Sequence, residues 1–324
     1  MIKLKAYLAA ALVLAVSAIP AQAMDRLTLQ VGYGAGGGYD TESRIVANHL
    51  GRHLPGNPEI IVQNVPGAGS LKLLKQYVAT GATDGSQIIT VSSSNVQAPI
   101  LSPKSLGFDP RNLKFLASLD NSPSYCIAST VSGITTLEQF LDSEIKLGAT
   151  GKTSTTYVHS AAIRGALKTK SDIVLGFKGT AEIGTAMERG DVQGLCGVGI
   201  NSADRFVRDG VGVIVAEVGL APAGHAEFLL DAVADPEARQ ALEFVFSSTA
   251  IQKPMIAHPD TPDEIVTTLR AAFAALAQDE AYLAEVAERK RIINFTSGDR
   301  VQEIVNQTLE VDPVLAGKIR SYVQ

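Results

Sequence analysis

The chain has 324 residues with 28 basic and 33 acidic side chains, is 46% hydrophobic and 19% charged, and so has the composition of a globular rather than a disordered protein. It is long enough for two domains. A formal net charge of -5 supplies no general attraction for nucleic acid or an anionic membrane, so an anionic partner must be held by local geometry.

Residues 1–23 open with Lys3 and Lys5, run apolar from Ala6 to Ile19 and close on Ala21-Gln22-Ala23. This pattern predicts a secretory signal cleaved after Ala23. No later stretch reaches the roughly 18 apolar residues of a membrane span, so a soluble periplasmic protein is expected. That compartment lacks an ATP or NAD pool and oxidises thiols. Cys126 and Cys196 would then pair as one disulfide, the alternative being two buried thiols, since sequence alone gives no Cα separation.

From Arg26 the chain repeats strand, small-residue turn, helix. Residues 27–33 alternate as a strand, Gly34 to Gly38 turn, and residues 40–54 have helical spacing with Asp40 or Thr41 as the cap. A strand at 59–63, a second glycine turn and a helix at 70–79 follow, then a strand at 87–91 and the polar run 92–95. Three successive βα units predict parallel pairing with right-handed crossovers. The pattern restarts with strands at 125–129, 145–149, 173–177, 192–198 and 211–216, interleaved with helices at 136–141, 155–167 and 182–188. A second sheet of that size predicts a second domain. Amphipathic helices at 262–278, 280–289 and 299–309 complete the chain. The expected division is residues 24–120 with 247–324 as one discontinuous α/β domain and 121–246 as the other, joined by short crossings that suit a hinge.

Three segments of the first domain place glycines or hydroxyls where a strand ends and a helix begins: 33–40, 65–70 and 92–95. There, main-chain N–H groups and positive helix ends face one crevice, the general ligand position of open α/β sheets. Candidate ligand contacts are Tyr33, Gly36, Gly37 and Gly38 in the first loop, Pro66, Gly67, Ala68 and Gly69 in the second, and Ser92 and Asn95 in the third. The second domain adds Ser154 and Thr155 within a four-hydroxyl run, Lys178, Gly179 and Thr180, and Asn201 after the small-residue strand end 197–199. Asp40 is expected to cap its helix, because a carboxylate beside an anion would repel it.

Nucleotide and enzyme signatures are weak. Gly32, Gly34 and Gly37 spell G-x-G-x-x-G, but the second strand ends in amides, Gln63 and Asn64, where a ribose-binding acid belongs. Gly151-Lys152-Thr153 lacks the first P-loop glycine, Lys146 standing there. No G-x-S-x-G occurs, Ser143 and Lys146 match S-x-x-K without its companion motifs, and His49 and His53 lack the glutamate of H-E-x-x-H. No catalytic residue, metal site or cofactor is expected.

Residues 31–40 (Val-Gly-Tyr-Gly-Ala-Gly-Gly-Gly-Tyr-Asp), Arg44, and 62–69 (Val-Gln-Asn-Val-Pro-Gly-Ala-Gly) resemble the paired loops of the Bug family, the extracytoplasmic solute receptors of tripartite tricarboxylate transporters. Residues 151–158 and Phe177-Lys178-Gly179-Thr180 are similar to later family segments, with Thr153 and Tyr157 as departures, and residues 256–262 match only loosely. The resemblance implies a type II periplasmic binding fold, two α/β domains around a central ligand cleft. It also implies a monomeric, non-catalytic receptor that passes a small organic carboxylate to a membrane permease, holding it by loop amides and hydroxyls rather than arginine. A sensory module and a secreted enzyme acting on a small acid are the alternatives.

Overall fold

In a computed structural model, residues 24–324 are described; the proposed leader lies outside them. The first sheet begins with β1 (Arg26–Val31), followed by α1 (Gly38–Leu50), β2 (Glu59–Asn64), α2 (Leu71–Thr80), β3 (Gln87–Thr90), the short α3 (Ala98–Leu101) and β4 (Lys114–Asp120). Three residues later the chain enters a second sheet. There β5 (Ser124–Ser129), α4 (Leu137–Asp142), β6 (Lys146–Ala149), α5 (Thr155–Leu167), β7 (Asp172–Leu175), α6 (Thr180–Glu188), β8 (Gly194–Gly199), α7 (Ile200–Arg208), β9 (Gly212–Val218) and α8 (Pro236–Phe246) follow in order. A 3-10 turn, Ser247–Ile251, leads back to the first sheet through β10 (Gln252–Ala257), α9 (Asp263–Leu276), α10 (Glu280–Glu288), β11 (Thr296–Ser297), α11 (Gly298–Leu309) and α12 (Pro313–Val323).

The first sheet has the order β11-β4-β10-β3-β1-β2 and the second β7-β6-β8-β5-β9. β1 pairs in parallel with β2 and β3, as the βα units predict. β10 lies antiparallel between β3 and β4, and in the second sheet β5 runs antiparallel to β8 and β9. The chain crosses from β4 into β5 and returns through α8 into β10, which fills the gap between β3 and β4.

Each sheet is covered on both faces. Leu27, Leu29 and Val31 alternate inward along β1. Leu27 and Leu29 pack with Ile45, Phe273 and Tyr282 on one face of the first sheet, while Ile89, Phe115 and Val305 pack on the other. The second sheet has its own two clusters, around Val158, Phe246 and Leu147 and around Tyr125, Met187 and Phe206. Burial of one such side chain contributes about 1.5–3 kcal/mol. The last helix departs from the expected division: α12 buries Ile319 and Val323 in the second domain's core against α5 and α8, because its apolar stripe finds an uncovered face there.

Cys126 on β5 and Cys196 on β8 are joined by a disulfide across adjacent antiparallel strands, Cα–Cα 3.9 Å, at a sequence separation of 70. No helix among the described residues is long and apolar enough to cross a membrane.

Candidate functional site

Four helices point their N-termini at one cavity between the two sheets. It is lined by Gly37, Gly38 and Tyr39 at the start of α1, Thr155 and Thr156 at the start of α5, Gly179 and Thr180 at the start of α6, and Gly197 to Gly199 with Ser202 at the start of α7. Tyr33, Thr150, Gln252 and Lys253 close it, and its volume is about 40 Å³. The local sequence explains the exposure of the helix ends. α1, α6 and α7 have glycine N-caps, Gly37, Gly179 and Gly199, with no side-chain cap, so their first-turn N–H groups are left for another acceptor. α5 differs: Ser154 caps it by accepting from Tyr157 N, and Thr155 N donates to Ser92 Oγ across the seam at 3.1 Å.

Of the expected contacts, Tyr33, Gly37, Gly38, Thr155, Gly179 and Thr180 line the cavity. Thr180 Oγ1 is buried there without a hydrogen-bond partner. The others lie elsewhere, for identifiable reasons. Gly36 turns in the left-handed region with φ 81°; its N–H donates to Asp40 Oδ2 at 2.9 Å and its carbonyl accepts from Arg205. Pro66 and Gly67 are half-buried outside the cavity, and Ala68 and Gly69 abut Gly151 and Ser154 of the other domain. Asn95 Nδ2 donates to Ser70 Oγ at 2.8 Å. Lys178 is exposed, and only its carbonyl takes part, accepting from Gly34 N across the seam at 2.8 Å. Asn201 is buried, donating to Glu42 Oε1 and Ile292 O and accepting from Ile292 N, each at 2.8 Å, so both amide protons are spent and none is left for an anion.

Asp40 is a strut rather than the helix cap, Gly37 holding that position. Burial raises its pKa, but the Arg44 guanidinium, Gly36 N–H and the Asn64 amide together bring its carboxyl below the ordinary range. The Tyr33 and Tyr39 rings stack at 4.6 Å. The Tyr33 hydroxyl is buried beside those of Ser92, Ser70 and Thr150, and burial raises its pKa.

One cation does reach the cavity, against the expectation of uncharged donors alone. Lys253, 5% exposed, pairs with Glu42 Oε2 and Asp120 Oδ2, each at 3.0 Å. Burial favours its neutral form, but Asp120 and Glu42 outweigh that and raise its pKa. Sequence reasoning also missed Gln252, Tyr39, Thr150, Thr156 and Ser202. The Gly-Val-Gly strand end was a visible signal for α7, whereas nothing in Gln252-Lys253-Pro254 announces a site.

No family model matches the chain, and no curated protein matches it. Among solved structures, the periplasmic binding protein BugD is 20% identical over 92% of this chain and 97% of its own, with a TM-score of 0.74. A Rhodopseudomonas palustris protein with adipate is 17% identical over 92% and 97%, TM-score 0.69. MatC from Rhodopseudomonas palustris with bound malate is 20% identical over 92% and 99%, TM-score 0.68. The chain shares the fold of these solved proteins, the periplasmic binding protein BugD among them.

Proposed function

We propose that this chain is an extracytoplasmic solute receptor of the Bug family that captures a small organic carboxylate between its domains and delivers it to a tripartite tricarboxylate-type permease. One observation carries the reading: three helices with glycine N-caps, α1 from one domain and α6 and α7 from the other, aim uncapped first turns at a shared enclosed cavity. A carboxylate there gains charge-assisted N–H bonds from both domains at once, which favours the closed arrangement over any open one. Each bond to an ionised group contributes about 1.5–3 kcal/mol, so four or five support binding near micromolar after ordering costs. Structural neighbours solved with adipate and malate support an acid as cargo.

Within the cavity, Gly37, Gly38, Gly179 and Thr180 present the donors, Thr155 adds a hydroxyl, and Tyr33 with Tyr39 forms the wall. Catalysis is disfavoured because the lining hydroxyls have no base beside them and Lys253 is held protonated by two carboxylates. The receptor acts as a periplasmic monomer, with the leader removed after Ala23; the intact mass of the exported protein checks that cleavage. Thermal unfolding of the exported chain with a panel of millimolar mono-, di- and hydroxycarboxylates tests the binding. At 100 times Kd a ligand stabilises by about 2.7 kcal/mol, a clear rise in Tm, and a panel giving no rise at all refutes the reading. Loss of uptake of the same acid on deleting the permease separates transport from sensing.

A further inference from the structure

Gln252 and Lys253 are adjacent in sequence, yet both line the cavity. Successive side chains of a regular strand face opposite sides. The alternation is broken because Lys253 has φ 55°, a left-handed conformation that a non-glycine residue holds only where its surroundings fix it. The surroundings do so here. A lysine ammonium has three N–H donors; one is spent on Asp120 Oδ2, while Glu42 Oε2 is an ion-pair partner at 3.0 Å without a hydrogen bond, so donor capacity remains. The remaining carboxylate oxygens are occupied: Asn201 Nδ2 donates to Glu42 Oε1 at 2.8 Å and Ser122 N to Asp120 Oδ1 at 3.0 Å. Arg291, which also feels the Glu42 charge, donates to Asn201 O at 3.3 Å instead.

Gln252 is 7% exposed, and its Nε2 donates to Ser122 O at 2.6 Å, which turns Oε1 away from that anchor. A Cβ placed on Gly199, at the cavity wall, would lie 3.1 Å from Gln252 Oε1 and 3.3 Å from both Lys253 Nζ and Asp120 Oδ2. The ammonium and the amide oxygen therefore both approach the cavity wall at Gly199, a donor and an acceptor near one point, with Asp120 Oδ2 behind them already accepting from the lysine.

We propose that this pair selects a short hydroxy-monocarboxylate, its carboxylate on the helix N-termini and its hydroxyl accepting from Lys253 Nζ while donating to Gln252 Oε1. The inference rests on the carboxylate-receptor reading and narrows its ligand. A second carboxylate offers no proton to Gln252 and faces a Lys-Glu-Asp group of net charge -1. An ammonium satisfies Gln252 but meets the lysine, and a methyl leaves both polar groups unpaired. A cavity of about 40 Å³ is small for a ligand site, which favours a short acid over a long-chain one.

Calorimetric titration of the wild-type chain with matched acids tests this. Lactate and glycolate are expected to bind about 10- to 100-fold tighter than propionate and acetate, and tighter than succinate, malate or alanine. Equal affinity for lactate and propionate, or tighter binding of a dicarboxylate, overturns the hydroxyl assignment while leaving a carboxylate receptor standing. Failure of every acid to bind removes the underlying reading and the assignment with it. Gln252→Met keeps the side-chain length and the ion-paired triad, and should reduce the lactate-to-propionate ratio to within about threefold; a ratio preserved in that variant refutes the pairing. Should the variant not fold, the wild-type ratio decides alone.

Discussion

Gly151 isolates domain closure from folding. It sits in the loop between β6 and α5, outside the left-handed region, so alanine strains nothing within its own turn. A Cβ there would lie 2.8 Å from Ala68 O and closer still to Ala68 C and Gly69 N, where ordinary contact begins near 3.4 Å. All three are main-chain atoms of the opposite domain and cannot rotate aside, so Gly151→Ala must hold the two loops apart. The bonds that cross the seam are then lost or stretched: Thr155 N to Ser92 Oγ at 3.1 Å, Thr153 Oγ1 to Ala68 O at 3.4 Å and Gly34 N to Lys178 O at 2.8 Å. At about 0.5–1.5 kcal/mol net each, the loss is about 1.5–4.5 kcal/mol, or about tenfold to a thousandfold in affinity. Calorimetry with the acid that raises Tm most, paired with small-angle scattering for ligand-induced compaction, reads both consequences. Binding within about threefold of wild type with unchanged compaction would refute the reasoning. A far-UV spectrum altered before any ligand is added would do so as well, by making Gly151 a folding residue.

Two further outcomes concern stability. Cys126→Ser with Cys196→Ser, or reduction of the wild type, releases a loop closed across a sequence separation of 70 and should destabilise the second domain by about 4 kcal/mol; a first calorimetric transition unmoved by reductant contradicts that. His159 is fully enclosed, between Ser124 Oγ at 3.1 Å and Ser248 Oγ at 3.3 Å, and burial lowers its pKa from 6.5 to about 3. The unfolded chain thus binds this proton more readily, so stability is full above about pH 6.5 and falls by up to about 1.4 kcal/mol per unit as pH drops from there toward 3. His159→Gln should flatten the pH 6.5–4.5 part of that curve, above the range where Asp40, Asp279 and Glu285, all with lowered pKa values, begin to protonate. A slope unchanged in the variant assigns the proton elsewhere.

What was legible in the chain was whatever is set by neighbours in sequence. The alternation in residues 27–33 fixes the inward face of β1, and glycines 34–38 mark a turn opening a helix, so Gly37, Gly38 and Tyr33 are found from pattern alone, although the expected cap, Asp40 or Thr41, is not the residue that holds that position. Partners far along the chain were not legible. Asn201 follows a small-residue strand end just as a ligand contact would, but its amide is claimed by Glu42, 159 residues away, and by Ile292. Gly36 was lost to a nearer competitor, the Asp40 carboxylate four residues on. Lys253 was hidden twice: Pro254 argues against a central strand, and a left-handed lysine has no sequence signature.

The same division bears on the opening that the proposed receptor role requires. Apolar side chains are almost wholly sorted into clusters belonging to one sheet or the other, with Leu101 of α3 the exception that joins the second domain's core beside α12. The seam itself is polar, built of N–H, hydroxyl and carbonyl pairs between loops 33–40, 65–70 and 92–95 on one side and 151–155 and 178–180 on the other, with Asn201 and Arg205 of α7 bonded to Glu42, Ile292 and Gly36. Opening exchanges those pairs for water and exposes little apolar surface, so the two states differ by a few net hydrogen bonds rather than by a core. An anion that bonds helix ends of both domains adds contacts available in the closed state alone, and that difference is of the size needed to shift the balance. Glycine serves both ends of this design: as the caps Gly37, Gly179 and Gly199 it leaves the donors uncovered, and at Gly151 and Gly69 it lets the two main chains meet.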